Sequence, residues 1–86
     1  MLPDKTYHAV CAQVARLLCE ERKRQGFSRY AVAKRCGLSE QMVGYVERGM
    51  RNPSLETVLR LTAALNVDLG EIVKRAYLAV GGRGHK

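Results

Sequence analysis

With 86 residues, of which 47% are apolar, the chain suits one small domain and is too apolar for a disordered segment. Its formal net charge of +7 favours a polyanionic partner, either nucleic acid or an anionic membrane surface. No apolar run approaches the roughly 20 residues of a membrane span, and the start "MLPDKTYHAV" lacks the basic-then-apolar order of a secretory leader.

The first periodic segment predicts a helix from about Asp4 to Gln25, with Tyr7, Val10, Cys11, Val14, Leu17 and Leu18 on an inward stripe. Gly26 ends it and Phe27 anchors the link. Ser28 is a good N-cap for a second helix, "RYAVAKRC", because its hydroxyl can accept an orphan backbone N–H. Gly37 supplies a left-handed turn, Leu38 points inward, and Ser39 caps a third helix that ends at Gly49. Asn52-Pro53 forbids continuation. Ser54 then opens a fourth helix with Leu55, Val58, Leu59 and Leu65 inward. Asp68-x-x-Glu71 resembles a capping box opening a fifth, whose apolar side is Ile72, Val73, Ala76, Tyr77 and Val80. No segment alternates as a strand does. The fold class is all-α: one five-helix domain over residues 1–80, followed by a mobile basic tail at 81–86.

Charge is unevenly distributed. Arg22, Lys23, Arg24, Arg29, Lys34, Arg35, Arg48 and Arg51 face only Glu40 and Glu47 within residues 22–51. The plain alternative to a polyanion site is a merely solvated surface. Cys11, Cys19 and Cys36 form no C-x-x-C pair, so neither a zinc site nor a redox motif is indicated, and no metal or cofactor is expected. They read as buried thiols in a reducing cytoplasm.

The second and third helices carry the chemistry. Ala33 allows close helix approach, Gly37 turns the chain, and Val43 plugs the corner. This spacing is a helix-turn-helix signature. On the third helix, Val43, Val46 and Glu47 share one side. Glu40, Gln41, Gly44, Tyr45 and Arg48 lie opposite, where an α-helix could enter a major groove. Gln41 suits adenine. Glu40 could accept from cytosine N4–H, or could simply favour the helix dipole. Gly44 weakens the helix by about 1 kcal/mol relative to Ala, which either close approach to DNA or a harmless surface position would allow. Tyr45 could meet a thymine methyl, a phosphate or a protein partner. Arg22 and Glu47 both fall on inward stripes, and unpaired burial of either would be costly, so they are expected to pair.

"GFSRYAVAKRCGLSEQMVGYVERGMRNPSLETVLRLTAALNV" resembles the Cro-like phage-repressor helix-turn-helix family, also called XRE, from about Arg22 to Ile72. The resemblance implies a compact bundle of five helices, double-stranded DNA binding and transcriptional control. It places Ser39, Glu40 and Gln41 at base edges and nearby phosphates, and Gly44 and Tyr45 at further groove-facing positions. Arg29 stands where the family often has a phosphate-contacting glutamine. A charge contact is therefore expected there, with Ser28, Arg48, Arg51 and Asn52 as further phosphate holders. The same likeness points to the Arg22–Glu47 pair.

One short recognition helix reads few base pairs, so a homodimer on an inverted repeat is expected. Its pairing surface would use surplus apolar residues of the fifth helix, Leu69, Ile72, Val73, Tyr77, Leu78 and Val80, with Tyr7. Alternatively, the long first helix covers the fifth within one monomer. A second function class is a protein-interaction module, an antitoxin or adaptor holding a toxin or co-regulator. Enzymatic function finds no support. His8 and His85 are the sole histidines, at opposite ends, and there is no acid pair or nucleophile constellation.

Overall fold

The computed structural model describes residues 4–50 and 52–81. The expected tail and Arg51 lie outside these, apart from Gly81. Among the described residues the chain forms five helices and no strand: α1 (Asp4–Arg24), α2 (Arg29–Cys36), α3 (Glu40–Glu47), α4 (Leu55–Leu65) and α5 (Leu69–Ala79).

Side-chain caps set where the later helices begin. The hydroxyls of Ser28, Ser39 and Ser54 accept from the backbone N–H three residues on, and the Asp68 carboxylate accepts from Glu71 N–H. Each cap satisfies a donor that the first turn of a helix would otherwise leave unpaired. At the corner between α2 and α3, Gly37 takes φ +73°, and Leu38 N–H returns to the Ala33 carbonyl at 3.1 Å. Asn66 does the same duty after α4 at φ +56°.

The core is built where α2, α3 and α4 meet α1. Leu18, Val32, Ala33, Cys36, Val43, Val46, Leu61 and Leu65 are buried together, with Phe27, Leu38 and Met42 packed at the edge. Removing this apolar surface from water is the main driving force of the bundle. The expected corner therefore forms: Ala33 brings α2 close, and Val43 closes it from the other side.

Three expectations about burial need correction. In α4 the inward residues are Leu61, Thr62, Ala64 and Leu65, while Leu55 and Leu59 are 67% and 48% exposed. The helix carries two leucine pairs of spacing i, i+4, and the core of α2 and α3 takes the second. In α1 the buried apolar residues are Val10, Ala15 and Leu18, leaving Tyr7 and Cys11 exposed. Only Cys36 is a buried thiol, pushed up in pKa by desolvation, while Cys19 is half-buried.

α1 and α5 pack more extensively than any other helix pair. The long first helix thus covers the fifth inside one chain, burying Ile72 and Ala76 and leaving Leu78 exposed. Of the residues expected for a pairing surface, this takes Ile72 into the monomer and leaves Tyr7 and Leu78 exposed, with Leu69, Val73 and Tyr77 lining an open groove. This groove of about 620 Å³ opens between α1, α4 and α5. Val10, Cys11 and Val14 line one wall, Leu55 and Val58 the second, Val73 and Tyr77 the third. Among the described residues no helix is long and apolar enough to cross a membrane.

Candidate nucleic-acid interface

α3 is held by its apolar side. Val43 and Val46 are each 1% exposed, so the opposite side must face outward. Glu40, Gln41 and Arg48 are exposed there and Tyr45 is half-exposed, as expected from the helical spacing. These side chains are not independent. Gln41 Nε2 donates to the Tyr45 hydroxyl. The Arg48 guanidinium lies 5.8 Å from the centre of the Tyr45 ring, within cation–π range. Arg48 Nε also approaches Met50 Sδ at 3.4 Å.

Gly44 departs from the expectation of an open, groove-facing position: it is buried. Long side chains on a helix reach back over the preceding turn. Arg48 does so here, and its Nη1 would lie 3.0 Å from a Cβ placed on Gly44. The residue that covers this part of the face is the arginine, and the glycine is its seat.

Arg22 and Glu47 meet as the paired inward stripes require. Arg22 Nε donates to Glu47 Oε2 at 2.6 Å and Nη2 to Oε1 at 3.0 Å, with side chains 10% and 4% exposed. Arg22 Nη1 also donates to the Phe27 carbonyl at 2.8 Å, so the guanidinium fixes the α1–α2 link as well as α3. Burial pushes the Glu47 carboxyl up, but hydrogen bonds from Arg22 and Arg29 outweigh it and hold the group below its ordinary value. The Arg22 guanidinium is correspondingly raised by its hydrogen bond to Glu47.

Arg29, the expected charge contact to phosphate, is also tied into the core. Its Nε donates to Glu47 Oε1 at 3.0 Å, and its side chain remains 35% exposed. One carboxylate thus serves a buried and a half-exposed arginine. Ser28 uses its hydroxyl oxygen to cap α2 through Ala31 N–H at 3.0 Å. Along the outer face of α2, Lys34 sits over the exposed Tyr30 ring at 5.4 Å and Arg35 over Phe27 at 4.7 Å. Asn52 is exposed, and it lines the rim of the groove rather than α3.

Two positioning residues escaped the sequence reading. Arg60 of α4 donates from Nη1 to the Cys36 carbonyl at 3.0 Å, tying down the end of α2 at the corner. Its i, i+4 spacing from Glu56, which it also pairs with at 2.9 Å, was the one available sign. Glu21, buried on α1, accepts from Arg24 and from Gln25, whose amide in turn donates to the Leu65 carbonyl at 2.7 Å. No local pattern marks that bridge between α1 and α4.

Comparison with known proteins places this geometry. The Helix-turn-helix family model matches residues 20–72. The uncharacterized HTH-type transcriptional regulator y4dJ of Sinorhizobium fredii is 38% identical over 52 residues, covering 60% of this chain and 68% of that protein. The crystal structure of the restriction-modification controller protein C.AhdI from Aeromonas hydrophila superposes with a TM-score of 0.68. The two are 37% identical, over 72% of this chain and 94% of that one. The chain therefore belongs to the Cro-like phage-repressor (XRE) helix-turn-helix family of DNA-binding transcriptional regulators.

Proposed function

We propose that the protein is a sequence-specific repressor that binds an inverted-repeat operator in double-stranded DNA as a homodimer. The observation that carries this reading is α3: capped by Ser39, buried on its Val43–Val46 side, and presenting Gln41, Tyr45 and Arg48 as one connected outer face. A helix of this kind fits the major groove, where Gln41 would read a base and Ser39, Glu40 and Tyr45 would meet base edges or neighbouring phosphates. Arg29, with Ser28 at the start of α2, and Arg48 at the end of α3 would hold phosphates, with Arg51 and Asn52 further along the sequence. The likeness to an HTH-type transcriptional regulator and to a restriction-modification controller protein supports a regulatory role. Such a regulator would work beside the chromosome, in the cytoplasm, and none of these contacts calls on a cofactor or a catalytic group.

The dimer would pair through the groove between α1, α4 and α5, with Leu55 as an exposed apolar residue at its wall. Duplex titration tests the assembly. Two chains per operator and one cooperative transition are expected; one chain per half-site, with monomers at all concentrations, would overturn it. The same groove favours a second reading, a protein partner such as a toxin or co-regulator. A co-purifying protein that Leu55→Asp releases would support it.

A further inference from the structure

Gly44 is unusual in the middle of an eight-residue helix, because glycine is a poor helix former and this one has no left-handed backbone to justify it. A Cβ at this position would meet Arg48, at 3.0 Å from Nη1, 3.3 Å from Nη2 and 3.4 Å from Cζ. The Nη edge of the guanidinium lies over the place where a side chain would start. From that seat it reaches the Tyr45 ring, and Tyr45 accepts from Gln41 one turn earlier.

We propose that Gly44 is a specificity-determining position of the DNA-binding face: by having no side chain it seats Arg48 against α3, so that Gln41, Tyr45 and Arg48 form one preorganised reading unit. This rests on the proposed role of α3 in the major groove. Gly44 is a positioning residue, acting through Arg48. A methyl group there displaces only the end of a flexible side chain, so the fold keeps its packing while the arginine loses its place. Preorganisation matters because each side chain fixed before binding has less freedom left to lose on binding.

The substitution Gly44→Ala separates this role from a structural one. Alanine is the better helix former, so thermal stability should stay level or rise. Affinity for the selected duplex should nevertheless fall about tenfold, with preference relaxed at the base pair facing Gln41, which Arg48 positions through Tyr45. Arg48→Ala should weaken binding similarly, and Gly44→Ala/Arg48→Ala should be no worse than Arg48→Ala alone. In the free protein, the Arg48 side-chain N–H and Tyr45 ring resonances should shift in Gly44→Ala. Unchanged binding by Gly44→Ala, or losses that add in full in the double variant, would overturn the proposal. A wild-type chain with no duplex preference would overturn it together with the repressor reading, whereas a wild-type preference that Gly44→Ala keeps intact would overturn it alone.

Discussion

Arg29 donates to Glu47 Oε1 at 3.0 Å, the carboxylate that Arg22 grips from the core side. The link joins what the sequence presents as two separate features, a buried structural pair and a surface cation. Glu47 neutralises one guanidinium and leaves the cluster with a surplus positive charge at the start of α2. It also restricts where Arg29 can point, so the candidate phosphate contact is aimed by the same group that holds α1 to α3.

Removing Glu47 leaves Arg22 buried and unpaired. Glu47→Ala should therefore cost about 3–5 kcal/mol, a large part of a small domain's total of about 5–15 kcal/mol. Arg22→Met should cost a comparable amount, and the double variant less than the sum of the two. Urea melts of the three variants measure this cycle. Small and additive losses would show that the pair does not hold the helices together.

Acid should weaken the fold through the same carboxylate. Glu47 is held below its ordinary value, and so is Glu21, chiefly by its hydrogen bond from Arg24. A carboxyl with a lowered folded-state pKa binds fewer protons in the native state than in the unfolded one. Its stabilisation is complete above the unfolded value of about 4.3 and is lost as pH falls through the folded value. Melting temperature should thus be flat from neutral pH to about 5 and fall below that. Glu47→Gln should be less stable at neutral pH and show a shallower acid decline, as read by circular dichroism melts from pH 7 to 3.

Arg29→Ala should have little effect on stability, because half-exposed ion pairs contribute about 0–1 kcal/mol. Its effect should appear on DNA. Binding should weaken alike for all sequences, and the slope of log affinity against log salt should drop by about one charge. Fluorescence anisotropy at several salt concentrations reads both. A wild-type salt slope in the variant would remove Arg29 from the phosphate contacts.

Leu55 is 67% exposed and lines the open groove, so a polar group there should leave the monomer almost as stable as before, within about 0.5 kcal/mol. Leu55→Ser should instead raise the dimer dissociation constant. Sedimentation equilibrium across a concentration series measures it, and an unchanged constant would move the pairing surface elsewhere.

Local chemistry made much of this fold legible. Ser28, Ser39, Ser54 and Asp68 each announce a helix start because capping is a contact over three residues, and Gly37 announces the corner because its left-handed backbone is a local demand. The Arg22–Glu47 pair was readable because two charges fell on inward stripes. The choice between the two leucine pairs of α4 was not, since either gives helical spacing and only the shape of the α2–α3 core decides. The bridge from Gln25 to Leu65 and the clamp from Arg60 to Cys36 join residues far apart in sequence, so no window of the chain contains them. Gly44 misled for a related reason. Its position on the outer face was right, but the side chain that covers it belongs to a residue one turn later.

The outer face of α3 is proposed to read duplex sequence. Selection of bound fragments from random double-stranded DNA, with wild type and Gln41→Ala side by side, tests it most directly. The wild type should select an inverted repeat with half-site centres about 10 base pairs apart. Gln41→Ala should select the same repeat with one position per half-site relaxed, at a cost of about 1–3 kcal/mol in discrimination. No enriched sequence for the wild type, or an identical preference at every position for Gln41→Ala, would contradict it.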